Sequence, residues 1–127
     1  MDYDCLVVED SHERMKKFKQ FLIGYTYLWC ETSEEAIEAL IQNNFRIIFL
    51  DHDLREEHYA GSFGKGTGQE VADFIGNKNI LCESVIIHSL NPVGSENMRK
   101  SLEKANKPVC CIPGIWTKYK QFSEVLK

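Results

Sequence analysis

No stretch of the sequence approaches the ~20 consecutive apolar residues that a helix needs to cross a bilayer. The start lacks the layout of a secretory signal: acidic residues appear at once and the first apolar run is short. None of the five cysteines belongs to a C-x-x-C pair, and their number is odd. Cys5, Cys30, Cys110 and Cys111 lie in or beside apolar stretches and Cys82 just before one, which predicts reduced thiols packed as small hydrophobes. These absences point to a cytoplasmic, reducing setting with no membrane partner. An excess of positive charge is missing too. The formal net charge of -4 removes the electrostatic argument for duplex DNA as the default partner. Repeats, linkers and low-complexity segments are likewise absent.

What remains is ordinary for a globular protein. Apolar residues make up 43% and charged residues 27% of 127 positions. That length predicts one domain, residues 1–127, able to bury its own core. Short apolar runs, "YDCLVV" (3–8), "YTYLWC" (25–30), "FRIIFL" (45–50), "SVIIHS" (84–89) and "PVCCI" (108–112), read as strands. Between them lie segments of helical periodicity. Met15, Phe18, Phe21 and Leu22 share one face, as do Ala36, Ile37, Leu40 and Ile41, then Val71, Phe74 and Ile75. A further helix covers 94–106, and a last one packs Trp116, Tyr119, Phe122 and Leu126. Ser11, Thr32 or Ser33, and Ser95 are the expected N-caps. Strand and helix in alternation, with strands apolar enough for burial on both faces, predict an α/β fold. The expected layout is a flavodoxin-like doubly wound sheet of five parallel strands in the order 2-1-3-4-5.

In such a sheet ligands bind beyond the carboxyl ends of the strands. The first strand ends at Glu9-Asp10, the third at Asp51-His52-Asp53, and the fourth at His88-Ser89 with Asn91 behind. In the expected order these ends converge on one crevice. Each residue has a plainer reading: Asp10 alone fits a helix cap, His88 a satisfied core histidine, His52 a loop residue bonded to backbone. The case for a site rests on all of them landing on the same edge. Carboxylates at this density repel one another unless a cation sits among them. Oxygen ligands suit Mg²⁺ or Mn²⁺, and histidine widens the choice to Zn²⁺ or Fe²⁺. An imidazolium between carboxylates is the other way to offset the charge, and it makes a general acid.

The segment between the third strand and the next helix is long and Gly-rich. "GKGTG" (64–68) fails the P-loop pattern, because Gly66 follows Lys65 where Ser or Thr should stand. A lid carrying Arg55, His58 or Lys65 toward an anion competes here with a plain surface loop. The following helix begins near Thr67, where its amides could face the same anion.

The acidic pair Glu9-Asp10, Asp51 and Ser89 resemble the receiver domains of response regulators. In that family the pair binds Mg²⁺, the strand-three Asp accepts phosphate, and Ser or Thr ends strand four. Receivers also carry a Lys followed by Pro at the end of strand five. Here that strand runs "VCCIPGIW", and Lys107-Pro108 precedes it. The chain more closely resembles the cyclic-phosphate processing receiver-like domains, through "LDHDL" (50–54), "HSLNP" (88–92) and the acidic end of strand one. Glu9 stands where Asp is common. The resemblance runs from about residue 3 to the fourth helix.

That resemblance implies a phosphoesterase acting on a cyclic nucleotide or an RNA 2′,3′-cyclic end. His52 and His88 would act on the phosphate beside Asp51 and Asp53. Ser89, Asn91 and Lys65 would hold the substrate, and Glu9, Asp10 and Asp51 a divalent Mg²⁺ or Mn²⁺. Two other expectations stand beside it: a receiver-like signalling module phosphorylated on Asp51, and a sponge that binds a cyclic nucleotide without cleaving it. The missing strand-five Lys counts against signalling.

Overall fold

Each of the five apolar runs forms a strand, and all pair in parallel. The computed structural model describes residues 2–54 and 66–127. In chain order its elements are β1 (Asp2–Val8), α1 (His12–Phe21), β2 (Tyr27–Cys30), α2 (Ser33–Gln42), β3 (Asn44–Leu50), α3 (Gly68–Asn77), β4 (Ser84–Ile87), α4 (Pro92–Lys104), β5 (Val109–Cys111), a 3₁₀ turn (Ile115–Thr117) and α5 (Tyr119–Leu126). The strand order is β2-β1-β3-β4-β5, the flavodoxin-like order expected from the sequence.

Strand alternation sorts the core into two layers. Leu6, Val8, Ile48, Leu50, Val85 and Ile87 face α2, α3 and α4, against Leu40, Ile75 and Leu102 among others. Cys5, Val7, Ile47, Phe49 and Ile86 face α1, the 3₁₀ turn and α5. There Phe49 stacks on Phe122 with ring centroids 4.9 Å apart, and Phe18 meets both rings edge-on at 5.5 and 5.7 Å. Burying one such ring contributes about 1.5–3 kcal/mol. Cys5 and Cys30 are buried in these layers while Cys110 is exposed, and none of the five thiols is in a disulfide.

The helix starts are set by side chains that satisfy free amides. Ser11 accepts from Arg14 N–H, Thr32 from Glu35 N–H and Thr67 from Gln69 N–H. The fourth helix departs from the sequence expectation. It starts at Pro92, capped by Asn91, and Ser95 lies inside it. Proline at the first helical position costs no hydrogen bond, so Asn-Pro here opens a helix. Ile41 and Tyr119, expected inward, are exposed, lying in the last and first turns of their helices, though Tyr119 still meets Phe21 edge-on at 5.2 Å. Among the described residues no helix is long and apolar enough to cross a membrane.

Candidate functional site

The carboxyl edge of the sheet is built from one row of residues. Val8 pairs with Leu50, and Leu50 with Ile87. One residue further, Glu9, Asp51 and His88 continue that row. Asp51 N–H donates to Val8 O and His88 N–H to Leu50 O, each at 3.1 Å. By alternation all three side chains join the α1/α5 face, two positions beyond Val7, Phe49 and Ile86. All three are buried. One donor atom from each lies within 4.8 Å of the others, a group able to hold a metal ion.

The charges inside this group are partly matched. His88 Nε2 stands 3.0 Å from Glu9 Oε1, and Ser11 N–H donates to Glu9 Oε2 at 3.0 Å. A carboxylate only accepts, so His88 carries its proton on Nε2. Its Nδ1 is buried with no hydrogen-bond partner among the described residues. Phe18 and Trp116 pack edge-on against the ring. Arg14, in the first turn of α1, brings Nη1 to 3.5 Å from Asp51 Oδ2 and 3.9 Å from Glu9 Oε1, while its guanidinium lies over Trp116 at 4.6 Å. Burial pushes Glu9 up, but the His88 hydrogen bond and charge, the Ser11 amide and Arg14 outweigh it and hold the carboxyl below its usual range. For Asp51, burial wins. With the Glu9 charge acting in the same direction, it raises the carboxyl to about 6, against the His88 charge, the His52 amide and Arg14.

His52 lies elsewhere. Alternation sends it to the opposite face of the sheet, where its ring rests on α4. A Cβ built on Gly94 would stand 2.4 Å from His52 Cγ, so only glycine admits the imidazole there. His52 Nδ1 is 2.7 Å from Asp53 Oδ1, and Asn91 Nδ2 donates to the same oxygen at 3.2 Å. Burial raises the Asp53 carboxyl, but the His52 and Asn91 hydrogen bonds more than offset it and leave it below the usual range. The two imidazoles therefore do not share an environment. His88 is enclosed beneath the edge, and His52 is 17% exposed above it.

Between them lies a cleft of about 320 Å³ lined by Asp10, Ser11, Arg14, Asp51, Asp53, Ser89, Leu90 and Asn91. Of the residues singled out from sequence, Asp10, Asp51, Asp53, Ser89 and Asn91 meet in this cleft. Glu9 and His88 lie under it, and His52 is one hydrogen bond from its wall. Ser89 Oγ accepts from Asn91 N–H at 3.0 Å, which shapes the turn into α4. Lys65, Arg55 and His58 fall outside the described residues. Sequence reading missed Arg14, although Ser11 as the α1 cap puts position 14 in the first turn, beside the acidic strand ends. Gly68, read from the sequence only as one of the loop glycines, opens α3, and a Cβ on it would stand 1.8 Å from Asp51 O.

The cleft presents carboxylates to a cation and the Arg14 guanidinium to an anion, and His52 stands one hydrogen bond from its wall. Three acidic side chains and one arginine line it, so an anionic ligand needs further positive charge nearby. Glu9, Asp51 and His88, with Asp10 in the cleft wall, form a group that could hold a metal ion.

Solved structures similar to the chain include receiver domains and response regulators. A CheY-like response regulator receiver domain protein from Methanospirillum hungatei matches with a TM-score of 0.64 at 16% identity, over 99% of this chain and 94% of that one. The response regulator TrrA from Thermotoga maritima, solved in complex with Mg²⁺-BeF, matches with a TM-score of 0.64 at 21% identity, over 98% of this chain and 99% of that one. The Mn²⁺-bound form of response regulator Rcp1 gives 0.64 at 18% identity, covering 97% and 91%. At these identities the likeness shows the fold. A comparison with curated proteins found no match. The cyclic-phosphate processing receiver domain family matches residues 5–104. With the row of Glu9, Asp51 and His88 at the strand ends and His52 and Asp53 beside it, the chain belongs to the cyclic-phosphate processing receiver domain family.

Proposed function

We propose that this chain is a phosphoesterase that opens a cyclic phosphodiester of a nucleotide or RNA end, with His52 as the group that moves the proton. The observation that supports this most is the Asp53–His52 pair, 2.7 Å apart and steadied by Asn91. The carboxylate takes the Nδ1 proton in a hydrogen bond and leaves a lone pair at Nε2, the arrangement of an oriented general base. His52 Nε2 accepts a proton from water as the water oxygen bonds to phosphorus. One ring P–O bond breaks, and its oxygen takes a proton from solvent in the open cleft, giving a monoester. Arg14 faces the phosphate oxygens as they gain charge.

Glu9 and Asp51, with Asp10 beside them, would hold a divalent cation, which would supply neutralisation of phosphate charge and a more acidic water. With its Nε2–H given to Glu9 Oε1, His88 acts on the site by positioning that carboxylate. Ser89 and Asn91 hold the β4–α4 turn that forms one cleft wall, and Lys65 is proposed to approach the anion from the adjoining segment. The expected partner is a small cyclic nucleotide or a single RNA end, in the cytoplasm.

Signalling through an acyl phosphate on Asp51 is less well supported. His52 N–H donates to Asp51 Oδ1 at 2.8 Å and Arg14 sits on Oδ2, while Ile112 follows strand five where signalling receivers carry lysine. The test is incubation with a panel of cyclic mono- and dinucleotides and 2′,3′-cyclic-ended RNA, with and without Mg²⁺ or Mn²⁺. Ring opening that is lost in His52→Ala supports the proposal. Ligands recovered intact from wild type overturn it, and stoichiometric binding in that case identifies a sponge.

A further inference from the structure

The cleft carries a second chemistry on its rim. Leu90 lines it together with Asp51 and Arg14, yet is 58% exposed, and Val93, three residues on, is 72% exposed. Single exposed aliphatics are ordinary on a protein surface. Here Leu90 is part of the wall of an acidic cleft, and Val93 follows it on the first turn of α4.

The backbone holds these two residues in place. Ser89 Oγ accepts from Asn91 N–H, and Asn91 Oδ1 accepts from Gly94 N–H, each at 3.0 Å. These bonds fix both sides of Leu90 and set Val93 in the first turn of α4. On the other side, Gly114 N–H donates to His88 O at 3.2 Å, so the turn after β5 crosses the end of β4. Leu90 Cδ2 lies 4.0 Å from where a Cβ on Gly114 would stand. The side chain thus rests on that turn, whose Pro113 is exposed. Leu90 is the one aliphatic side chain among the described residues lining the cleft, beside Asp51, Asp10 and Arg14.

We propose that Leu90 and Val93 form a shelf that seats the base of a nucleoside cyclic phosphate whose phosphate lies over Asp51 and Arg14. This rests on the cyclic-phosphate reading and names the substrate class more narrowly. A cleft of about 320 Å³ is at the lower end of the ~300–1,000 Å³ typical of small-molecule sites. It takes one nucleotide-sized group. A ligand suited to it is anionic at one end and flat and apolar at the other, and a nucleobase face packs well on apolar side chains. Neither Leu90 nor Val93 offers a side-chain hydrogen bond, so the shelf gains from any base and reads no base edge. Adenosine and cytidine forms are therefore expected to bind within a few-fold of each other.

The experiment compares adenosine 2′,3′-cyclic phosphate with glycerol 1,2-cyclic phosphate, which has a similar five-membered cyclic ester and no base. Affinity is read by calorimetry and ring opening by ³¹P NMR, for wild type and for the Leu90→Ser/Val93→Ser double variant. Both positions are exposed, and an unchanged melting curve verifies that the variant folds. Wild type is expected to favour the nucleoside ligand by ~10-fold or more, and the variant to bring that ratio close to unity. An unchanged ratio in the variant, or no preference in wild type, overturns the shelf while ring opening by wild type upholds the enzyme. A base-dependent affinity that the variant loses, without ring opening, upholds the shelf and removes the enzyme. If neither ligand binds, both fall.

Discussion

His88 Nε2 meets Glu9 Oε1 at 3.0 Å across the intervening strand β3, with both side chains fully buried. The pair closes the floor of the cleft from below. Removing the imidazole leaves a buried carboxylate short of its main partner and opens a void beside Phe18 and Trp116. His88→Ala is expected to cost about 3–5 kcal/mol, read as a lower denaturation midpoint. A loss under about 1 kcal/mol would show that the pair contributes little to the fold. Any loss of turnover in this variant has to be measured on the folded fraction.

Two glycines separate function from folding. Gly94→Ala places a Cβ in the space of the His52 ring, and His52 is partly exposed and able to swing away. Turnover is expected to fall ~100-fold through misplacement of the base. Stability should change by less than about 1 kcal/mol, since alanine favours the helix. Gly68→Ala meets backbone instead, at Asp51 O, and backbone cannot swing aside. That variant is expected to unfold more readily by about 3 kcal/mol or more. Thermal melts and steady-state rates on both proteins check the contrast, and equal melting losses would contradict it.

Asp53 is exposed and hydrogen-bonds to His52 and Asn91. Asp53→Asn removes the charge that fixes the Nδ1–H tautomer and keeps the shape. The rate of ring opening is expected to fall ~10²–10⁴-fold, with only a small drop in melting temperature because the carboxylate is largely exposed. A rate within a few-fold of wild type would remove His52 from the proton path.

The Asp51 carboxyl, raised from 3.8 to about 6 by burial, is bound to its proton more tightly in the folded chain than in the unfolded one. Its contribution to stability is complete below the unfolded value and is lost as pH rises through about 6. Asp51→Asn is therefore expected to be more stable than wild type at pH 7.5, by on the order of 2 kcal/mol, with the gap closing toward pH 4. Glu9 and Asp53, both held low, act in the opposite sense: their stabilisation is lost in acid. Melting curves of the variant and wild type from pH 4 to 8 isolate the Asp51 part, and a gap that widens on acidification would reverse the assignment.

The strands and their order were legible because "FRIIFL" and "SVIIH" are apolar without interruption, which suits strands covered on both faces. The converging strand ends followed from that order. The separation of the histidines was legible in principle and was not read. Residues 9, 51 and 88 are one step past paired positions, and position 52 has the opposite parity. Register between parallel strands is not written in the local sequence, so the row appears only once the pairing is known. The start of the fourth helix is less legible, since Ser95 is as good a cap by type as Asn91, and proline at position 92 can begin a helix as well as end one. Arg14 carried no signal beyond its spacing from Ser11.

Gly68 N–H donates to His52 O at 2.7 Å, and its Cα lies against Asp51 O. The chain that departs after His52 is thus fastened to its point of departure when it returns, independently of what lies between. Such a clasp makes the intervening length cheap to vary, at roughly 0.6 kcal/mol per doubling. Related sequences could exchange this span for others of different size and charge while the acids, the arginine and the imidazoles stay where the sheet puts them.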